Sequence, residues 1–223
     1  MPTLQEKAHD ARKAVLKTIY EAQTSHIGSN LSVIEILATV FENADLQKDK
    51  ILLSAGWKAA AFYYFLADKG VLPKERLETF CKPGSKLIGL VEPGVLGIHF
   101  AGGSMGYGLP AGVGFALAKK LSGEDGKIYV VMSDGEMQCG TTWESALIAA
   151  HHKLDNLTVL VDWNHLQAMG KVSDILETFP LADKFVAFGW LVAGVPGHDC
   201  EKISEYIKKP GEKPKIIVCD TVK

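Results

Sequence analysis

No stretch of the sequence is both apolar enough and long enough to read as a membrane span. Residues 1–22 are polar and helical in pattern rather than a charged segment followed by an apolar core, so no secretory leader is expected. A long basic run is also missing, and with a formal net charge of −2 neither nucleic acid nor an anionic membrane is an expected partner. Four cysteines, Cys81, Cys139, Cys200 and Cys219, are scattered without metal-ligand spacing, so reduced thiols in a cytoplasmic protein are the simplest account. There is no internal repeat and no low-complexity tract. No Gly-x-Gly-x-x-Gly turn directly follows a first strand, and Gly103 to Gly108 is not placed that way, which argues against a nicotinamide-binding domain.

What is present is a chain of 223 residues, 47% hydrophobic and 22% charged, long enough for one sizeable α/β domain over 1–223. Leu4, Ala8, Ala11, Val15, Leu16 and Ile19 share one face of a helix over 4–23. A polar break at 24–30 precedes a second helix over 32–42. A short strand at 51–54 leads into a helix at 58–68, and Pro83, Gly84, Gly89, Pro93, Gly94 and Gly97 make 82–97 an irregular loop. Small apolar residues over 109–121 suit a helix packed on a sheet. Strands are expected at 128–132, 157–161, 190–192 and 215–219, and their near-continuous apolar character suits burial on both faces. The fold class that follows is α/β, a doubly wound, mostly parallel sheet with helices on both faces.

Two of these strands end on oxygen ligands. Val130-Val131-Met132 runs into Ser133-Asp134-Gly135-Glu136, and Val159-Leu160-Val161 runs into Asp162-Trp163-Asn164. Strand carboxyl ends face the ligand crevice of an open α/β sheet, so Asp134 and Asn164 can meet over one divalent cation and the phosphates it holds. Gly135 permits a tight turn and close approach of a phosphate. His26, in a Ser/Gly-rich loop, is a candidate proton donor or acceptor.

Asp-Gly, a helix, a strand and then Asn resembles the thiamine diphosphate signature of transketolase-like enzymes. Flanking blocks resemble the amino-terminal half of a transketolase: Ser25-His26-Ile27-Gly28-Ser29, Gly103-Ser104-Met105-Gly106-Tyr107-Gly108, Ala149-Ala150-His151-His152-Lys153-Leu154-Asp155-Asn156-Leu157 and Trp163-Asn164-His165-Leu166-Gln167. The resemblance implies a thiamine diphosphate-binding fold with Mg²⁺, or Ca²⁺ or Mn²⁺ in its place. Asp134, the Asn164 side chain and the Leu166 carbonyl would be the protein's metal ligands. Gly135, Glu136, Asn164 and Trp57 would meet the cofactor, Gly103, Ser104 and Met105 would meet its aminopyrimidine edge, and His26 would be the catalytic histidine facing substrate. Gln167 is a candidate for a place behind the ligands, and His198, in Gly197-His198-Asp199, for orienting a loop near the diphosphate. His151 and His152, adjacent on a helix, diverge and are read as structural. Trp143, Trp163 and Trp190 are read as packing residues.

The chain departs from the pattern in several places. Ser133 stands for the leading glycine of Gly-Asp-Gly. Ser54-Ala55-Gly56-Trp57-Lys58 has indole where the family has a histidine, and Lys58 is either a local positive charge or a solvated surface lysine. Gly89-Leu90-Val91 lacks the histidine of Gly-His-Pro, for which His99 is a candidate replacement in space. Cys139 stands where a family glutamate communicates across the dimer interface.

By resemblance the activity is transfer of a two-carbon ketol unit from a ketose, typically phosphorylated, to an aldose. The family's cofactor lies between a diphosphate-binding and a pyrimidine-binding domain, and only the first is expected here. The chain is therefore expected to be one subunit of a split transketolase that needs a separate carboxy-terminal subunit, with sugar phosphates as substrates and a heterotetramer as the assembly. The rivals are 1-deoxyxylulose-5-phosphate synthase, the α subunit of a 2-oxoacid dehydrogenase and a noncatalytic assembly or regulatory subunit. The Ala-His-His-Lys-Leu-Asp-Asn-Leu block favours transketolase over the first two.

Overall fold

The computed structural model describes residues 2–223. Helix α1 (Leu4–Ala22) starts at a capping box, in which the Glu6 N–H donates to the Thr3 hydroxyl (3.2 Å) and the Glu6 carboxylate accepts from the Thr3 N–H (2.7 Å). Its buried stripe is Ala8, Ala11, Val15 and Ile19, as the periodicity predicts. The expected break at 24–30 is shorter than it reads, because α2 (Ile27–Ser32) begins inside it. His26 takes a left-handed conformation (φ 69°) and turns the chain, and the Asn30 amide donates to the His26 carbonyl (2.9 Å) to hold that turn. Helix α3 (Ile34–Asn43) follows almost without interruption.

Strand β1 (Lys50–Leu53) passes through a 3₁₀ turn at Gly56–Lys58 into α4 (Ala59–Asp68). After an irregular crossing come α5 (Gly108–Ser122), β2 (Ile128–Ser133), a 3₁₀ turn at Asp134–Gln138 and α6 (Gly140–His151). The remainder is β3 (Leu157–Trp163), the short α7 (Val172–Ile175) and α8 (Leu181–Ala187), β4 (Leu191–Pro196), α9 (Cys200–Lys208) and β5 (Lys215–Asp220). Strand β4 runs further than its apolar residues suggest. It is an edge strand, so Gly194 and Pro196 still pair with Val218 and Asp220 of β5.

All five strands are parallel, in the order β1-β2-β3-β5-β4. Side chains alternate between two cores. Tyr129, Val131 and Leu160 join α1, α3, α4 and α9 on one face, while Ile128, Val130, Met132, Val159 and Val161 join α5, α6 and α8 on the other. The chain leaving β1 goes to the first face through α4, and the chain leaving β2 goes to the second through α6. Neighbouring strands whose exits diverge open a crevice at their carboxyl ends. No helix among the described residues is long and apolar enough to cross a membrane.

Candidate active site

A cleft of about 400 Å³ opens at these strand ends, lined by His26, Trp57, Lys58, Met105, Asp134, Gly135, Asn164, Leu166 and Gln167 among others. Asp134 and Asn164, far apart in sequence, face the same space because Ser133 and Asp162 lie side by side in the β2/β3 register. The Asp134 carboxylate is buried, and its oxygens accept from the Gly135 N–H (2.8 Å) and the His165 N–H (2.6 Å). Burial pushes its pKa up; the two N–H bonds and the charge of Lys58 oppose this, and the nearby Asp162 adds to it. A desolvated carboxylate of this kind gains from a cation placed against it.

The Asn164 carboxamide is also buried. Its Nδ2 donates to Asp162 Oδ2 (3.3 Å) and its Oδ1 accepts from the Leu166 N–H (3.1 Å). Asp162 itself, fully buried on β3, pairs with the equally buried Lys58 and accepts from the hydroxyls of Ser32 (2.6 Å) and Thr221. Burial alone would raise the Asp162 pKa, but the Lys58 ion pair and these hydrogen bonds outweigh it and lower it. Lys58 is therefore not a solvated surface residue. Breaking such a pair from one side costs about 3–5 kcal/mol, because the remaining charge stays buried.

Among the described residues no three His, Cys, Asp or Glu side chains converge on a metal. A cation seat here has to combine one carboxylate with carboxamide and main-chain oxygens, a hard donor set suited to Mg²⁺, which usually keeps phosphate and water in the rest of its sphere. Two observations fit that group. The Lys223 ammonium donates to the Leu166 carbonyl (2.8 Å) and lies within electrostatic reach of Asp134 and Asp162, so a positive charge already stands among the expected ligands. At Gly135, beside Asp134, the main chain is covered by the flexible Gln167 side chain, whose Cδ lies 3.1 Å from where a Cβ would sit.

The family described as "Transketolase, thiamine diphosphate binding domain" matches residues 4–223. The chain belongs to the transketolase family. It is 37% identical to an apulose-4-phosphate transketolase subunit of Actinobacillus succinogenes, over 95% of this chain and 81% of that one. It is 35% identical to the 6-deoxy-6-sulfo-D-fructose transketolase subunit SqwG of a Clostridium species, over 99% and 85%. Among solved structures, transketolase from Campylobacter jejuni superposes with a TM-score of 0.93 at 31% identity, covering 99% of this chain. The chain spans only 38% of that transketolase.

As a transketolase domain, the chain places its other expected residues unevenly. His26 lines the cleft, and its Nδ1 is 2.9 Å from the Ser25 hydroxyl. Partial burial, then Lys223 and Lys58, lower its pKa, which favours the neutral imidazole. Trp57 lines the cleft beside it, and Gln167 covers Gly135 while donating to Gln138 (2.8 Å). From the glycine turn only Met105 reaches the cleft; Gly103 and Ser104 lie exposed beside it.

Glu136 corrects the expectation placed on it. Its carboxylate does not line the cleft but is buried beneath the turn, accepting from the Gly106 N–H (3.0 Å), the Ser133 N–H (2.9 Å) and the Ser54 hydroxyl. The reason is local, since Glu136 caps the 3₁₀ turn that Ser133 starts. Cys139 packs beneath Gly106, whose φ of 79° suits glycine and where a Cβ would fall 2.5 Å from Cys139 Cβ. His99 does not replace the missing histidine, being outside the cleft with Lys50, at the amino end of β1, as its nearest charge influence. His198 accepts from the Val222 N–H at Nε2 (2.9 Å) and lies 2.9 Å from Glu35 at Nδ1, so it steadies the segment that carries Lys223. His151 and His152 lie away from the cleft, at the end of α6. Trp143 and Trp190 pack on Phe185, with ring centroids 5.4 and 5.3 Å away.

Sequence reasoning did not single out Asp162 or Lys223, and it left the burial of Lys58 open. A carboxylate inside Val159-Leu160-Val161-Asp162-Trp163 and a lysine inside Trp57-Lys58-Ala59-Ala60-Ala61 are each an ion in an apolar run. That shared anomaly was the available signal that they pair.

Proposed function

We propose that this chain is the diphosphate-binding subunit of a split transketolase, transferring a two-carbon ketol unit from a ketose phosphate to an aldose together with a separately encoded pyrimidine-binding subunit. The observation that carries this reading is the convergence of Asp134, Asn164 and the Leu166 carbonyl on one cleft that already holds an ammonium. Two relatives named as transketolase subunits are matched over 81% and 85% of their length, which supports the split arrangement. Two copies of each subunit form the assembly.

Asp134, Asn164 and the Leu166 carbonyl would hold Mg²⁺, and the Gly135 main chain would lie against the diphosphate. Thiamine diphosphate, when bound, supplies the electron sink for cleavage of the sugar's carbon–carbon bond. The protein's part is orientation and proton handling. His26, neutral and beside the Ser25 hydroxyl, takes and returns a proton of a sugar hydroxyl. Glu136 holds the Gly103–Gly108 turn from below, so that Met105 and the turn's main chain meet the aminopyrimidine edge. Trp57 puts an indole in the cleft where the resemblance expects a histidine, which makes that part of the wall apolar.

Reconstitution tests the proposal. Purified chain with thiamine diphosphate and Mg²⁺ is expected to give no ketose product until the partner subunit is added. Turnover by the chain alone overturns the split arrangement, and no turnover by the assembled pair with any ketose phosphate overturns the activity.

A further inference from the structure

Behind Asn164 lies an ion pair that neither the family signature nor the proposed chemistry requires. Lys58 is fully buried; its ammonium donates to Asp162 Oδ2 and to the Ser29 carbonyl (3.2 Å). Asp162 accepts from Lys58, Ser32 and Thr221, and also from Asn164 Nδ2 (3.3 Å). A buried pair adds little net stability over apolar residues of the same volume. Its presence beside the cation seat therefore asks for another role.

That role lies in the Asn164 carboxamide. Its oxygen and nitrogen are nearly equal in size, and a half-turn of the group exchanges them. Only one of the two orientations can ligate a cation through oxygen. An ionised carboxylate is an acceptor on every lone pair, so Asp162 tolerates the NH₂ side and repels the oxygen side, the orientation that the Leu166 N–H also favours by donating to Oδ1 (3.1 Å). Lys58 supplies the counter-charge that keeps this acceptor in place within the core.

We propose that the Lys58–Asp162 pair is a positioning device that locks the Asn164 carboxamide with Oδ1 toward the cation seat, and so sets divalent-metal affinity. This rests on Asn164 being a metal ligand, as in the proposed function. Removing the pair takes away one positive and one negative charge together, so the net charge beside the seat is unchanged and a loss of affinity reads the carboxamide's orientation.

The test is Mn²⁺ binding by the full chain with thiamine diphosphate, read from the free Mn²⁺ signal in electron paramagnetic resonance. Lys58→Met/Asp162→Leu replaces the pair by apolar residues, and Lys58→Met/Asp162→Asn is the closer isostere; circular dichroism and thermal melts report folding. The folded Leu variant is expected to bind Mn²⁺ about 10–100-fold more weakly, and the Asn variant more weakly by a smaller factor. Asn164→Ala added to the Leu variant is expected to weaken binding by less than it does in wild type, because the two changes share one interaction. A merely structural pair would give wild-type affinity wherever stability is retained. Either folded variant binding Mn²⁺ as tightly as wild type, or more tightly, overturns the inference and leaves the transketolase reading standing. Failure of the wild-type chain to bind Mn²⁺, both alone and with the partner subunit added, overturns both.

Discussion

The two walls of the cleft are built in opposite ways. On the β2/β3 side, Asp134 is 1% and Asn164 5% exposed, and every polar atom named there has a partner within the chain. On the side of the glycine turn, Met105 is 39% and Tyr107 55% exposed, and Leu90 nearby is 41% exposed. The first wall has its polar set completed by its own fold, even though Leu166 and Met169 beside it are exposed, whereas the second has no such polar set and presents apolar side chains to solvent. A charged ligand can be gripped by the first wall without help, while the second needs another surface to complete it.

If that contrast holds, the largest effect comes from the finished wall. Asp134→Ala removes the one carboxylate among the expected ligands and is expected to weaken Mn²⁺ binding, with thiamine diphosphate present, by at least about 100-fold, beyond the range typical for groups that merely support a ligand. Isothermal titration calorimetry measures this directly. A change smaller than tenfold would mean that the cation sits elsewhere.

Much of this arrangement was legible in the sequence, because its parts lie at strand ends. The apolar runs at 128–132 and 157–161 mark β2 and β3, and in a parallel sheet the residues just past such runs must share one edge. Asp134 and Asn164 were therefore readable as neighbours without coordinates. Glu136 was misplaced because a residue two past Asp134 looks as close to the cleft as Gly135, whereas the 3₁₀ turn rotates it downward into a capping role. Lys58 stayed ambiguous for a different reason. Its partner Asp162 lies far along the chain on β3, and nothing local says whether a lysine at the start of a helix turns inward. The start of α2 was missed because Ser, Gly and Asn weaken helix propensity, and the structure overrides this with an Asn30 side-chain tie.

The unfinished wall gives a smaller and more selective effect. Met105→Gln puts a neutral polar side chain on the exposed apolar turn and adds no charge to the cleft that Met105 shares with Asp134 and Asn164. It is expected to weaken assembly with the partner by about tenfold, as for one well-buried apolar contact, while Mn²⁺ binding by the chain stays within about twofold. Analytical ultracentrifugation of the mixed subunits and the Mn²⁺ titration separate the two. Equal losses in both would mean that the walls are not independent.

The smallest effect probes how the finished wall reaches His26. Burial comes first among the causes of its lowered pKa, and the charges of Lys223 and Lys58 add to it. Lys223→Met removes one charge and keeps the burial, so the imidazole midpoint, followed by NMR, is expected to stay below 6.5 in both proteins and to move up in the variant. The sign carries into stability. A histidine whose folded pKa is depressed binds fewer protons folded than unfolded, so the full stability is present above the unfolded pKa and falls as the pH drops through that value toward the folded one. Lys223→Met narrows that window and flattens the loss. An unchanged midpoint would show that solvent screens the Lys223 charge from His26, and that the ammonium on the Leu166 carbonyl acts on the cation seat alone.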